Sequence, residues 1–511
     1  MKKILCLAAF TFFVISIAFI ISEIYAQDES DKEEFVKDAV DKNRIDAAVK
    51  KAVQYLKSKQ LAEGSWGDMN ELFAMAYPEG LTALCLYALL KGGETENSDC
   101  IKKGFESLKR WWSSNNRKTV YGTSCIILAL CSLYEPDEKG EKEEEIIKDG
   151  GKLKTTAFDP YEKRLKQGFR KNAPAWVKNW LDECVKWIVS QQQTNVWRYP
   201  GANPGATGGP GLQEDASNSQ YAMLALYTAI SVGVKVQSGV FKKVAEYFIA
   251  DQEKQGPEVK PFRVPAADFD VAQLKELEKE FLENMKKSAE DAIKAGDDPA
   301  KVMEELKTSS EIADPYEKYG TELGKMNARG WGYVRHDANS KLIPEGAQSE
   351  WCDATGSMTT SGVIALVICK TEIEKSINSK VKQMLNQSIR DGCAWLAYNW
   401  SVTHNPKSNN WKMYYLYGLE RVGVLTLCNK FGDHKWFKEG AEHLFSTQKS
   451  DGSWPGDKEN PRWMNGTLGY GDLCSTCFGI LFLKRATAPI IKPPGNIYTG
   501  EDLLGGSKKK E

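Results

Sequence analysis

The 511-residue sequence predicts an all-α fold: an α/α toroid of six helical hairpins, an outer ring of six helices around an inner ring of six, with charged helical insertions. Three observations predict it. A helix ending in Gln and followed by a turn and a Trp recurs along the chain, as in repeat architectures. Each amphipathic copy is followed by a second helix that is apolar on nearly all sides, and such a helix is buried. No stretch carries a convincing period-two strand alternation.

Composition agrees. A 42% hydrophobic share and 11% aromatic residues exclude a disordered or collagen-like chain. The formal charge of -1 gives no basic face for nucleic acid.

Lys2 and Lys3 precede an apolar run from Ile4 to Ile21, and Tyr25-Ala26 gives way to acidic residues from Gln27. This reads as a signal peptide over 1–26 or, the run being long, as an uncleaved membrane anchor. Either implies an exported protein, periplasmic or secreted, or one held to the membrane by its N-terminus. Residues 27–44 form an acidic linker. Beyond Cys6, the cysteines sit among apolar neighbours, as at Cys85, Cys125, Cys131, Cys369 and Cys428. They read as small core residues rather than a disulfide framework.

The repeats occupy residues 45–487. The first amphipathic helix carries Ile45, Ala48, Ala52, Tyr55 and Leu56 at helical spacing and ends at Gln60, with Trp66 six residues later behind Gly64-Ser65. The last ends at Gln448 before Gly452-Ser453-Trp454. Weaker copies end at Gln192, with Trp197, and at Gln252; degenerate ones run from Lys103 to Trp112 and from Gly392 to Trp400. The intervening apolar helices cover 81–90, 122–130, 219–226, 357–366, 413–419 and 475–483. Insertions rich in Lys and Glu interrupt the series at about 136–174 and 256–328. In the second, Leu274, Leu277, Phe281 and Met285 mark an amphipathic helix, and the acidic pair Asp297-Asp298 reads as facing solvent. The remainder, 488–511, reads as a flexible tail.

The Gln-x-x-x-Gly-Ser-Trp units resemble the repeats of squalene cyclases and of protein prenyltransferase β subunits. More closely, the chain resembles exported bacterial prenyltransferase and squalene oxidase repeat proteins. The resemblance implies a terpenoid cyclase-like toroid. Gln60, Trp66, Gln448 and Trp454 are expected as structural repeat residues, the amide bonding free backbone and the indole clamping neighbouring hairpins.

The resemblance also implies where chemistry would sit. Cyclases protonate a double bond with an Asp in a DxDD run at the mouth of an inner helix. Here those mouths read Asp215-Ala-Ser-Asn-Ser219, Asp353-Ala-Thr-Gly-Ser357 and Asp472-Leu-Cys-Ser-Thr476, with Ser217, Thr355 and Cys474 where the donor would stand. Asp353, Asp472 and Asp215 are catalytic candidates all the same, with helix capping as their alternative role. His336, beside Arg335, is a candidate base of the kind used by toroid polysaccharide lyases. Candidate ligand contacts are Trp351, Trp331, Tyr333, Arg335, Trp197, Tyr199, Asn218, Gln220 and Trp463, aromatic and polar groups suited to a sugar ring, an extended peptide or an isoprenoid tail. No cofactor is expected. Prenyltransferase-like zinc has one weak candidate set, Asp472, Cys474 and Cys477, with no histidine after it.

The leading expectation is an exported toroid that binds an apolar, isoprenoid or saccharide ligand in an aromatic-lined central cavity, without cyclase protonation. The alternatives are an active isoprenoid cyclase or polysaccharide lyase of the same fold, and a non-catalytic scaffold that docks a protein through the 256–328 insertion.

Overall fold

The computed structural model describes residues 40–67, 77–114, 118–135, 147–149, 152–154, 158–198, 215–298, 301–302, 312–334, 352–457 and 471–492. Among these the chain is mostly helical, with sixteen α-helices and two short antiparallel strand pairs. The N-terminal signal or anchor lies outside the described residues. No helix among the described residues is long and apolar enough to cross a membrane.

α1 (Lys42–Ser58) starts inside the expected linker, because the Asp41 carboxylate accepts the Asn43 N–H and Val40 is already buried. α2 (Pro78–Lys91) has Pro at its first position, where a missing N–H costs nothing. α3 (Asp99–Ser113) and α4 (Val120–Ser132) follow. A small pair, β1 (Ile147–Asp149) and β2 (Lys152–Lys154), precedes α5 (Tyr161–Asn172) and α6 (Ala175–Ser190). α7 (Ala216–Ser231) and α8 (Ser238–Asp251) come next. The second insertion holds β3 (Glu258–Val259), α9 (Pro265–Asp268), α10 (Val271–Ala295), α11 (Pro315–Tyr319) and β4 (Met326–Asn327), which pairs with β3. The chain ends with α12 (Gly356–Ile373), α13 (Ser379–Tyr398), α14 (Lys412–Thr426), α15 (Trp436–Thr447) and α16 (Asp472–Leu483).

Two kinds of helix alternate. α3 buries one stripe, Cys100, Ile101, Gly104, Phe105 and Leu108, and leaves its lysines outside. By contrast α12 is buried at every residue from Gly356 to Lys370. α1, α6, α8, α13 and α15 resemble α3, whereas α2, α4, α7, α14 and α16 resemble α12. The apolar helices pack in sequence, α2 on α4, α4 on α7, α7 on α12, α12 on α14 and α14 on α16, and α16 packs on α2. The amphipathic helices lie against them: α3 on α2, α6 on α4, α8 and α13 on α12, and α1 on α16.

The insertions are tied down more firmly than their charge suggests. α10 turns Leu274, Leu277, Phe281, Leu282 and Met285 inward, while Asp297 and Asp298 beyond it are exposed. The fully buried Lys370 ammonium donates to the Ala266 and Phe269 carbonyls, both at 2.8 Å. The buried Asp391 carboxylate takes the Asn327 N–H and pairs with Arg329 at 2.7 Å. The expected tail also begins later than 488. Ile490 and Ile491 are buried, and the Lys492 N–H donates to Glu278.

Candidate functional site

Four tryptophans share one arrangement. The indole N–H of Trp66 donates to Leu56 O, that of Trp197 to Ile188 O, that of Trp331 to Phe248 O and that of Trp454 to Leu444 O, all at 2.7–2.8 Å. Each acceptor stands four residues before a glutamine. The main-chain N–H of each Trp donates to a hydroxyl on the following apolar helix: Thr82, Ser219, Thr359 and Thr476. Each glutamine amide bonds a carbonyl in its own turn region and another in the next amphipathic helix. Gln60 reaches Cys100 O, Gln192 reaches Val240 O, Gln252 reaches Ser388 O and Gln448 reaches Ala48 O. Gly64 and Gly452 hold φ of +96° and +91° in the turns, and a Cβ there would meet Lys103 O and Lys51 O at 2.3 and 2.4 Å.

The degenerate copies differ. Trp112 and Trp400 are only half-buried and donate to the Glu183 and Glu439 carboxylates. Conversely Trp197 and Trp331, expected at ligand sites, are fully buried with their N–H groups engaged in the arrangement above.

A second feature lies among the apolar helices, whose N-terminal ends stand side by side. The rings of Tyr77, Tyr121, Tyr221, Tyr414 and Phe478 form a continuous row, with successive centroids 5.3–6.1 Å apart. The Ser217 hydroxyl lies between two of them: Tyr121 Oη donates to it at 2.6 Å, and it meets Tyr414 Oη at 2.5 Å. Gln220 Nε2 also donates to Tyr414 Oη. Behind the row the fully buried Arg421 lies over the Tyr417 ring at 3.6 Å and near the Tyr221 ring at 4.9 Å. Arg421 donates to Gln220 Oε1 at 3.1 Å and to Tyr221 Oη at 3.4 Å. These side chains bridge α7 and α14, which are not successive in the packing order. Tyr414, Tyr417 and Arg421 share one face of α14, at spacings of three and four.

The three candidate acids fare differently. Asp215 is a buried N-cap: it accepts the Asn218 N–H at 2.6 Å and Asn218 Nδ2 at 2.8 Å. Burial outweighs these bonds and pushes its carboxyl up to about 7. Asp353 is exposed and precedes the cap of α12, which is Thr355, accepting the Met358 N–H. Asp472 pairs with Lys449 at 2.5 Å and accepts the Gly456 N–H.

Asn218 and Gln220 are buried on α7, and Tyr333 is half-buried, its carbonyl taking the Ala216 N–H. Cys474 and Cys477 are buried, and Cys477 Sγ lies 3.6 Å from Cys85 Sγ. Among the described residues no three His, Cys, Asp or Glu side chains gather to hold a metal. His336, Arg335, Trp351, Tyr199 and Trp463 lie outside the described residues.

Arg421, Tyr121 and Tyr414 were not singled out from sequence, and Ser217 was marked only as standing where a cyclase proton donor would be. The available signal was Glu420-Arg421, a charged pair continuing a run that is otherwise apolar and aromatic. At the opposite ends of the apolar helices, residues 486–492 cross over. Glu420 accepts the Thr487 N–H at 3.1 Å and hydroxyl at 2.8 Å, and Tyr87 Oη donates to Ala486 O. A crevice of about 20 Å³ lies there, lined by Tyr87, Lys91, Glu135 and Thr487 among others. Compared with known proteins, the chain matches no family model and no curated protein.

Proposed function

We propose that this chain is an exported α/α toroid that binds an elongated, largely apolar ligand where the N-termini of its apolar helices gather, without cyclase protonation chemistry. Support for the toroid comes from the packing order, in which α16 meets α2, and from Gln448, whose amide ties the last unit to Ala48 in the first. Export rests on the N-terminal sequence.

The binding reading is carried by the row of five aromatic rings from Tyr77 to Phe478, threaded with hydroxyls and an amide. Aromatic faces suit an apolar chain, and a few convergent polar groups orient one end of it. The row is nearly closed in this state, since Tyr121, Tyr221 and Tyr414 are each less than a tenth exposed. A ligand therefore enters by turning Tyr121 and Tyr414 off Ser217.

Cyclase chemistry is disfavoured by the acids. Asp215 has both oxygens engaged by Asn218, Asp472 is paired with Lys449, and Asp353 faces solvent. Purified protein should carry, or take up, a long-chain apolar molecule detectable by mass spectrometry of an organic extract. It should form no cyclic product from squalene. Turnover of squalene to cyclic products defeats the reading.

A further inference from the structure

We infer that the closely packed cluster around Arg421 behind the aromatic row is an anion subsite, in which Arg421, once the neighbouring side chains turn aside, holds the negatively charged head group of an otherwise apolar chain. The inference rests on the ligand-binding reading above and adds the chemistry of the head group.

Arg421 carries a permanent charge in a fully buried position. Its two hydrogen-bond acceptors, Gln220 Oε1 and Tyr221 Oη, are both neutral, and the second bond is long at 3.4 Å. Among the described residues its Nε has no hydrogen-bond partner. The adjacent Glu420 carboxyl accepts from Thr487 and acts on Arg421 through its charge rather than through a hydrogen bond. Burying a cation without an anion is costly, and ring faces such as those of Tyr417 and Tyr221 recover only part of that cost. A guanidinium satisfied by neutral acceptors gains from exchanging them for an oxyanion, since charge-assisted bonds are roughly twice as strong.

The helix dipoles at that end have the same sign, with the buried Glu79 and Asp215 carboxyls at two of the N-termini opposing them. The apolar helices point their N-termini, each worth roughly half a positive charge, towards the end from which a ligand would arrive. Tyr121 Oη, Tyr414 Oη and the Gln220 amide supply neutral donors along the way. Arg421 stands roughly 13 Å along α14 from Lys412, at 1.5 Å per residue, so the head group would lie deep and the chain would run outwards along the aromatic row.

The test compares dodecanoate with dodecanol below their aggregation limits, by calorimetric titration of the full chain. Dodecanoate should bind at least tenfold more tightly. R421Q should abolish that preference, with R421K retaining part of it, in protein whose helicity matches the original. Should R421Q fail to fold, the original protein still decides the matter. The carboxyl carbon of bound [1-13C]dodecanoate should keep its ionised chemical shift at a pH where the free acid is protonated. Equal affinity for the two probes, an R421Q protein with the preference intact, or a bound head group that titrates like the free acid each overturns the subsite while leaving the apolar site standing. Failure of both probes to bind overturns the apolar site and the subsite together.

Discussion

At the scale of single residues, the same four-part arrangement recurs around Trp66, Trp197, Trp331 and Trp454, and it sets clear expectations for stability. Trp331→Phe removes the N–H bonded to Phe248 O and leaves a buried carbonyl to find another donor. The expected loss is about 1–3 kcal/mol, read from the denaturation midpoint. Trp112→Phe is the control. Its indole is half-exposed and bonds a surface carboxylate, so the change should stay within about 0.5 kcal/mol. Equal losses at the two positions would show that the buried bond does not set the difference. The contrast also explains what the sequence could carry. Trp66 and Leu56 are 10 residues apart, so the first unit can be read by eye, whereas Trp331 and Phe248 are 83 apart because an insertion stands between them. Spacing alone therefore pointed to Trp112 and Trp400, and gave Trp331 to a ligand. Arg421 was missed for a different reason. Hydrophobic periodicity identifies the apolar helix around it, but the chemistry of one buried cation depends on which side chains other helices bring to it, and Gln220 and Tyr221 lie two hundred residues away.

At the scale of elements, helix existence was legible and attachment was not. The apolar face of α10 was visible at Leu274, Leu277, Phe281 and Met285. What it packs against was not, and neither were the bonds that pin the insertion through Lys370 and Asp391. The segment 486–492 shows the same limit: two isoleucines in a polar tail read as a solvated end, yet they are buried and the backbone is held at both Glu420 and Glu278. Its hold on Glu420 makes stability depend on pH. Burial, against the bonds from Thr487, pushes the Glu420 carboxyl up to about 7 from an ordinary 4.5. The folded state therefore keeps its proton where the unfolded state has lost it. This contribution is fully present below about pH 4.5 and disappears as pH rises through about 7, on the order of 3 kcal/mol in total. Glu420→Gln mimics the neutral acid. Its melting temperature relative to the original protein should therefore rise between pH 5 and pH 8, and a constant difference across that range would contradict the assignment.

At the scale of the whole molecule, the question is whether the six units close. In an open stack of repeats the terminal helix touches one neighbour and frays at low free energy. In a closed toroid no helix is terminal, and α1 has neighbours on both sides. α1 packs on α2 in its own unit, on α16 and α15 at the other end of the chain, and receives the Gln448 amide at Ala48 O. Arg44 adds a two-pronged pair with Glu442, both groups about half-exposed, which contributes little by itself. Closure therefore predicts that the amides of α1 from Ala48 to Leu56 exchange with solvent as slowly as those of α4 and α12, through global unfolding. Gln448→Ala should selectively speed exchange in α1 and α15, because it loosens the seam and leaves the other units latched. Fast exchange confined to α1 in the unaltered protein, with α4 and α12 protected, would identify an open superhelix. The ligand reading depends on the same outcome, because an aromatic row bridged by Ser217 and Gln220 keeps its register only while the helices on either side are held by their neighbours.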